Sequence, residues 1–337
     1  MPLRFGVLGA AKIAIEKVIP AMQRGQHTKV VAIGSRDLGR ARATADALGI
    51  ARAYGSYDEV LADPDVDAVY IPLPNHLHVD WTIRAADAGK HVLCEKPIGL
   101  SEADAARLLP VRARTGVQMQ EAFMVAAHPQ WRLARELAQS GRLGDLRAMV
   151  GWFSYANMDP ANIRNMAACG GGALLDIGCY FVMTSRFVFA REPQRVVATM
   201  ERDPVFGVDR LTSMILDFGN ATFTGTCGTQ TAPFQRVHLA GSRGRLELEI
   251  PFNAPAGEST WVSIEGVPGI MNGGRERLAT EPCDQYTLQG DQFSDAVSRG
   301  HAAPYPLEES MANMRVIDAL FRSADTGAWV SMSGGTR

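Results

Sequence analysis

The sequence predicts an α/β chain in two domains: a doubly wound parallel sheet over residues 1–123, then an α+β domain over 124–337 built on an open, mainly antiparallel sheet. Three observations carry this. At 337 residues the chain is long for a single hydrophobic core. Through the first 123 residues, apolar runs of strand length alternate with amphipathic helical stretches. From Asp145 onward the pattern changes to extended segments in which polar and apolar residues alternate.

In chain order, the first half places strands at LRFGVLG (3–9), KVVAIGS (29–35), DAVYIPLP (67–74), HVLCE (91–95) and VQMQEAF (117–123). Helices lie between them. One opens on Asp37 as N-cap and stops at Gly49; another begins at a Ser101 to Asp104 capping box and continues to Gly116. Near-continuous apolar strands alternating with helices imply a parallel sheet covered on both faces. The second half supplies DLRAMVGWFSYA, RVVATMER, DRLTSMILDFG, ATFTGTCG, RVHLAG and GRLELEI, with turns at DFGNA and AGSRGR. The Gly- and Pro-rich stretch 253–280 reads as a long excursion of that sheet. Neither an internal repeat nor a low-complexity linker is visible.

The first strand-to-helix turn, GAAKIA from Gly9 to Ala14, follows most of a dinucleotide-binding fingerprint. Gly9 supplies the tight turn and Ala14 is small enough for close helix packing. Ala11 stands where a second glycine is usual, and Lys12 and Ile13 complete the turn. A methyl group still lets a pyrophosphate approach the unpaired N–H groups of a helix N-terminus. The turn also fits an α/β domain with no cofactor. At the end of the second strand, Ser35 and Arg36 stand where an NAD site usually holds a carboxylate, with Arg40 one helical turn on. Small donors and cations there suit a ribose 2'-phosphate, hence NADP; a solvated basic helix start is the other reading. Asp37 dissents, unless it caps the helix and turns away from the ribose.

The segment IPLPNHLH brings Leu73, Pro74, Asn75 and His78 to the carboxyl edge of the sheet, where open α/β sheets bind ligands. Asn75 is expected to cap the helix that follows. His76 and His78 also form an H-x-H pair of the kind that holds a metal, although only Glu95 offers a comparable further ligand. The strand HVLCE then delivers Glu95 and Lys96 to the same edge. Pro97 disfavours the helical region for Lys96 and sets the direction of its ammonium.

In the second half, CGGGALLDIGCYFVMTSRFVF leads three glycines into a helix with Asp176 and Tyr180 at i and i+4, hence on one face. A catalytic pair and an ordinary core helix both fit that pattern. Arg164 and His128 are candidate substrate contacts.

Net charge of -2 leaves no basic field for a nucleic acid partner. Five cysteines without a C-x-x-C pair fit reduced thiols in a cytoplasm. An N-terminus lacking an export pattern, and the absence of an 18-residue apolar stretch, lead us to expect neither export nor membrane insertion.

The segments VLGAAKIA, SRD, IPLPNHLH, GKHVLCEKPIGL and GGGALLDIGCY, in that order, resemble the glucose-fructose oxidoreductase and inositol dehydrogenase (Gfo/Idh/MocA) family over nearly the whole chain. DIGCY is most similar to the branch of dimeric dihydrodiol dehydrogenases and NADP-dependent xylose dehydrogenases. The resemblance implies an N-terminal Rossmann domain, NADP or NAD as cofactor, and a C-terminal sheet that forms a homo-oligomer. It also puts Lys96, Asp176 and Tyr180 at the catalytic positions and Gly9, Ala11, Lys12, Ile13, Ser35, Arg36, Arg40, Leu73, Pro74, Asn75, His78, Glu95 and Lys96 around the cofactor. Relatives often have Tyr-Arg where Val125 and Ala126 stand, so the resemblance leaves room for a less polar substrate than a free sugar. The expected function is NADP-dependent hydride transfer at a secondary carbinol of an aldose, cyclic polyol or vicinal diol. The alternatives are a non-catalytic cofactor-binding sensor and a metal-dependent hydrolase using His76 and His78.

Overall fold

The computed structural model describes residues 1–266 and 274–332, and these form two compact units. The first contains Met1–Ala127 and Asp284–Met314, and the second His128–Cys283 and Arg315–Arg337.

The first unit is built on strands β1 (Leu3–Leu8), β2 (Thr28–Gly34), β3 (Arg52–Tyr54), β4 (Ala68–Ile71), β5 (His91–Cys94) and β6 (Met119–Glu121). All are parallel, in the order β3-β2-β1-β4-β5-β6. The order reverses between β1 and β4, so a crevice opens at their carboxyl ends. Strand β3 is an addition to the five expected; it is three residues long and has no apolar run to announce it.

Its connecting helices are α1 (Ile19–Gln23), α2 (Leu38–Leu48), α3 (Tyr57–Ala62), α4 (His78–Asp87), α5 (Glu102–Ala106) and α6 (Leu108–Thr115). Helix α2 follows its caps: Asp37 accepts from Arg40 N, and Gly49 ends it in the left-handed region. The helix expected over 101–116 divides at Arg107. Pro110 has no N–H to donate to Ala106, so the hydrogen-bond ladder is interrupted there.

The division expected at residue 123 is corrected by the chain's return. After α7 (Pro129–Gln139) and α8 (Cys179–Phe189) of the second unit, helix α9 (Gln285–Ser298) belongs to the first. Phe293 is fully buried against Phe5, with ring centroids 6.2 Å apart. The carboxylate of Asp291 accepts from Gln26 N at 2.9 Å and His27 N at 2.8 Å, just before β2. Beyond it, Tyr305 meets Phe123 at 5.7 Å, ahead of helix α10 (Leu307–Thr326).

The second unit holds a nine-stranded sheet: β7 (Leu146–Ala156), β8 (Arg195–Arg202), β9 (Asp209–Asp217), β10 (Thr222–Gly228), β11 (Gln230–Gly241), β12 (Gly244–Leu248), β13 (Trp261–Gly266), β14 (Arg275–Ala279) and β15 (Val330–Ser331). Their order is β14-β13-β12-β11-β7-β10-β9-β8-β15, antiparallel except between β7 and β10. The expected excursion at 253–280 therefore carries two strands of the sheet itself, with 267–273 outside the described residues.

The stretch Ala167–Phe189 corrects a further expectation, since it is long and apolar enough to cross a membrane by length and composition. It is mostly buried here, with Phe181 on Phe223 at 5.2 Å. A helix covered on nearly every side is apolar all round.

That helical segment starts on a buried carboxylate. Asp209 Oδ2 accepts from Leu174 N at 2.8 Å and from Thr212 Oγ1 at 2.6 Å. Burial pushes its carboxyl up to about 6, although these hydrogen bonds oppose the shift. An unfolded aspartate titrates near about 4, so between these values the folded chain binds the proton more tightly than the unfolded chain. Stability from this group is thus present below about pH 4 and is lost as pH rises to about 6, by about 3 kcal/mol in all. Urea unfolding of wild type and Asp209→Asn at pH 4.5 and 6.5 measures it, and the variant should lack this part of the pH dependence.

Candidate active site

The residues expected around the cofactor lie at the carboxyl edge of the parallel sheet. Gly9 follows β1 with φ of +116°, a conformation that a side chain would strain, and its N donates to Gly34 O at 2.8 Å. Ala11, Lys12 and Ile13 lead from it into a π-helical turn, Ala14–Val18. Arg40 returns to the same place, where its Nη2 donates to Ala10 O at 2.6 Å. Ser35 is buried, and its Oγ accepts from Asp37 N at 3.2 Å; Arg36 is exposed. Asp37 Oδ1 is occupied by Arg40 N at 3.2 Å. These residues fit a dinucleotide: Gly9 leaves the turn bare, and the Asp37 carboxylate is engaged in a cap.

The turn after β5 is fastened on three sides. Tyr70, buried in β4, donates its hydroxyl to Glu95 Oε1 at 2.8 Å. Burial first, and then the Glu95 charge, raises the Tyr70 pKa far above its ordinary value. Glu121, at the end of β6, accepts from Ile98 N through Oε1 at 2.8 Å. His78 has Nδ1 at 2.7 Å from Pro97 O and Nε2 at 2.7 Å from Leu73 O. Lys96 stands between these anchors, half-buried, and the Lys96–Pro97 bond is cis.

Three expectations change here. His78, fully buried between two carbonyls, joins the Leu73 turn to the Pro97 turn; it contacts the protein in place of a cofactor. The same two contacts occupy both ring nitrogens, which removes His78 as a ligand of the proposed metal pair with exposed His76. Among the described residues no three His, Cys, Asp or Glu side chains group as a metal site would require. Asn75 opens the short turn Asn75–Leu77 after Pro74, and its carbonyl accepts from His78 N; it is not the N-cap of α4.

In the second unit, Asp176 and Tyr180 both lie on the buried helical segment, Asp176 inside a π-helical turn, Leu174–Gly178, and Tyr180 in the first turn of α8. Two donors converge on one carboxylate oxygen: Tyr155 OH reaches Asp176 Oδ2 at 2.6 Å, and Arg164 Nε reaches it at 2.9 Å. The Asp176 charge, opposed by burial and aided by Tyr155 and Tyr180, raises the Arg164 pKa. Burial and Asp176 raise that of Tyr155. The glycines upstream make room for this arrangement. Gly172, at φ of +113°, donates its N–H to Arg164 O at 2.9 Å, and a Cβ on Gly172 would collide with Asp209 Oδ1.

An aromatic wall backs Tyr180, whose ring centroid lies 5.9 Å from Phe153 and 5.4 Å from Phe252. His128 is not among these residues. It is the buried N-cap of α7, where Nδ1 accepts from Gln130 N at 3.1 Å and Nε2 lies 3.5 Å from Cys283 Sγ. Its ring is committed to the fold, so it is withdrawn as a substrate contact.

Tyr70, Glu121, Tyr155 and Asp209 escaped the reading of the sequence. Glu121 carried a usable signal, since it ends a parallel strand in carboxylate as Glu95 does. Tyr155 and Asp209 carried none that pointed to the site, because Asp176 lies 21 positions from Tyr155 and Leu174 lies 35 positions from Asp209.

Residues 3–123 match the oxidoreductase family with an NAD-binding Rossmann fold, and residues 131–247 match the GFO/IDH/MocA C-terminal domain. An oxidoreductase of Rhizobium meliloti is 48% identical over 328 residues, covering 97% of this chain and 98% of its own. D-xylose 1-dehydrogenase (NADP(+)) 2 of Haloferax volcanii is 40% identical over 338 residues, covering 98% and 100%. Among solved structures, KijD10, a 3-ketoreductase from Actinomadura kijaniata in complex with NADP and TDP-benzene, superposes with a TM-score of 0.89 at 32% identity, covering 96% of this chain and 98% of that one. Other structures of that ketoreductase replace a lysine by alanine or glutamate, or a tyrosine by phenylalanine.

The Tyr70 to Glu95 bond is testable by stability. Tyr70→Phe removes one donor from a carboxylate and should destabilise the chain by about 1–3 kcal/mol, read by urea unfolding.

Proposed function

The chain belongs to the Gfo/Idh/MocA oxidoreductase family, and from that premise we propose that it uses NADP to oxidise or reduce a secondary carbinol of an aldose, cyclic polyol or vicinal diol. When bound, the nicotinamide ring supplies the site that takes or returns the hydride. Lys96, Asp176 and Tyr180 are the proposed catalytic residues, and their joint presence is the observation that carries the reading. The lysine and tyrosine replaced in the ketoreductase structures are separated by the same number of positions as Lys96 and Tyr180.

Tyr180 is assigned the hydroxyl proton, taking it in oxidation and returning it in reduction. A tyrosine ionises near about 10 and is a weak base at neutral pH unless a cation favours its phenolate. Lys96 is the cation assigned to that task and to the developing charge on the reacting oxygen. Asp176 holds its position through Tyr155 and Arg164.

Ser35, Arg36 and Arg40 are assigned to the 2'-phosphate. What supports NADP over NAD is the engagement of Asp37 as the α2 cap. We also assign homo-oligomer contact to the nine-stranded sheet, on the exposure of Val150, Trp152, Phe234 and Trp261.

Two predictions follow from these roles. In titrations with reduced cofactors, NADPH should bind on the order of a hundredfold tighter than NADH, from two charge-assisted contacts of about 1.5 kcal/mol each. Ser35→Asp with Arg36→Ile should reverse the order; equal affinities in the unmodified protein would refute the assignment. Screening aldoses, cyclic polyols and vicinal diols by reduced-nicotinamide absorbance should find turnover. On the best of these, Lys96→Met should lower kcat by at least about a hundredfold with cofactor affinity nearly intact, and Tyr180→Phe should remove most activity while preserving the fold. Near-normal turnover in either variant removes that residue from the mechanism.

A further inference from the structure

We infer that Arg164 selects substrates carrying a second hydroxyl beside the reacting carbinol, and that Asp176 and Tyr155 position it to do so. The inference rests on the carbinol reading above and names the feature of the substrate that is recognised.

The geometry begins with how Arg164 is held. Its backbone N donates to Asn162 Oδ1 at 3.1 Å, its carbonyl accepts from Gly172 N at 2.9 Å, and its Nε donates to Asp176 Oδ2 at 2.9 Å. Tyr155 donates to that same oxygen at 2.6 Å, fixing the carboxylate against which the guanidinium lies. Both ends of the residue are thus immobilised. Neither terminal nitrogen, Nη1 or Nη2, donates to another protein group among the described residues. The side chain is nevertheless 42% exposed, whereas that of Asp176 is 11% exposed.

A guanidinium anchored through Nε presents a planar edge of parallel N–H donors. Such an edge suits two oxygens on neighbouring carbons, which accept from both nitrogens at once. Charge decides between an anion and a neutral partner. Asp176 already balances the Arg164 cation, so the pair offers donors with little net field, as a neutral polyhydroxy compound requires. Asp176, which anchors the guanidinium, precedes Tyr180 by four residues on one continuous helical segment, and Tyr180 is assigned to the reacting hydroxyl. The proton-transfer residue and the fork therefore serve adjoining parts of one substrate.

The test compares substrate pairs that differ only by the adjacent hydroxyl: D-glucose against 2-deoxy-D-glucose for aldoses, and trans-1,2-cyclohexanediol against cyclohexanol for cyclic diols. Wild type should favour the member with the second hydroxyl in kcat/KM by on the order of a hundredfold. Arg164→Met should bring the ratio to within about threefold of unity. Arg164→Lys, which keeps a cation beside Asp176 while losing the fork, should lower the ratio to a similar degree. Tyr155→Phe keeps the fork and loosens its anchor, so the ratio should fall by about tenfold, more through KM than through kcat. Turnover of both members of a pair at a ratio unmoved by either Arg164 variant would overturn this inference alone. Wild type acting on neither member of either pair, with other carbinols also inert, would overturn the carbinol reading and this inference with it.

Discussion

A backbone N–H taken out of water must be given an acceptor, and in each unit of this chain a buried carboxylate serves one beside the functional residues. Glu121 takes Ile98 N in the turn that carries Lys96, and Asp209 takes Leu174 N where the helical segment with Asp176 and Tyr180 begins. Neither carboxylate is a proposed catalyst. Each fixes the path of a short stretch of backbone, and the path fixes the side chain. The expense is visible at Asp209, whose burial raises its carboxyl to about 6 and so weakens the folded state at neutral pH. The chain accepts a poorly solvated charge because the alternative is an unsatisfied amide at the root of its proposed proton-transfer helix.

What was legible in the sequence follows the range over which each interaction acts. The caps of α2 at Asp37 and Gly49 depend on contacts three or four residues apart, and the local pattern predicts both. Five of the six parallel strands are announced by apolar runs, β3 being the exception, and the positions of Gly9, Ser35 and Lys96 follow from where those runs end. Pairings across the chain leave no local mark. Tyr155 is one alternating residue of β7 among several, and nothing near it in sequence points to Asp176. The return of 284–314 to the first unit is likewise hidden, since Phe293 and Tyr305 reveal their partners Phe5 and Phe123 only once folded.

Some residue types were read correctly as polar and assigned the wrong duty. His78 and His128 both invite a functional role, yet one ring bridges two carbonyls and the other caps a helix. A histidine offers two ring nitrogens at opposite positions, which makes it a compact tie between backbone groups that cannot reach each other. The sequence supplies the ring but not what faces each nitrogen. The apolar length of Ala167–Phe189 is a similar ambiguity, because a bilayer and a protein core both demand an uncharged surface.

The arrangement around Asp176 bears on what that residue can do. A carboxylate accepting on one oxygen from a tyrosine and a guanidinium is stabilised as an anion by both. Such a group is held in one place by both donors. It therefore complements a tyrosine acid/base in place of competing with it. In the proposed mechanism, removing a proton from the substrate falls to Tyr180, and holding the surrounding donors in place falls to Asp176. The three glycines before the helix complete this division of labour. Gly172 lets the chain pass Asp209 closely and donates its N–H to the Arg164 carbonyl, so the glycine run that leads into the helix is also the seat of an arginine.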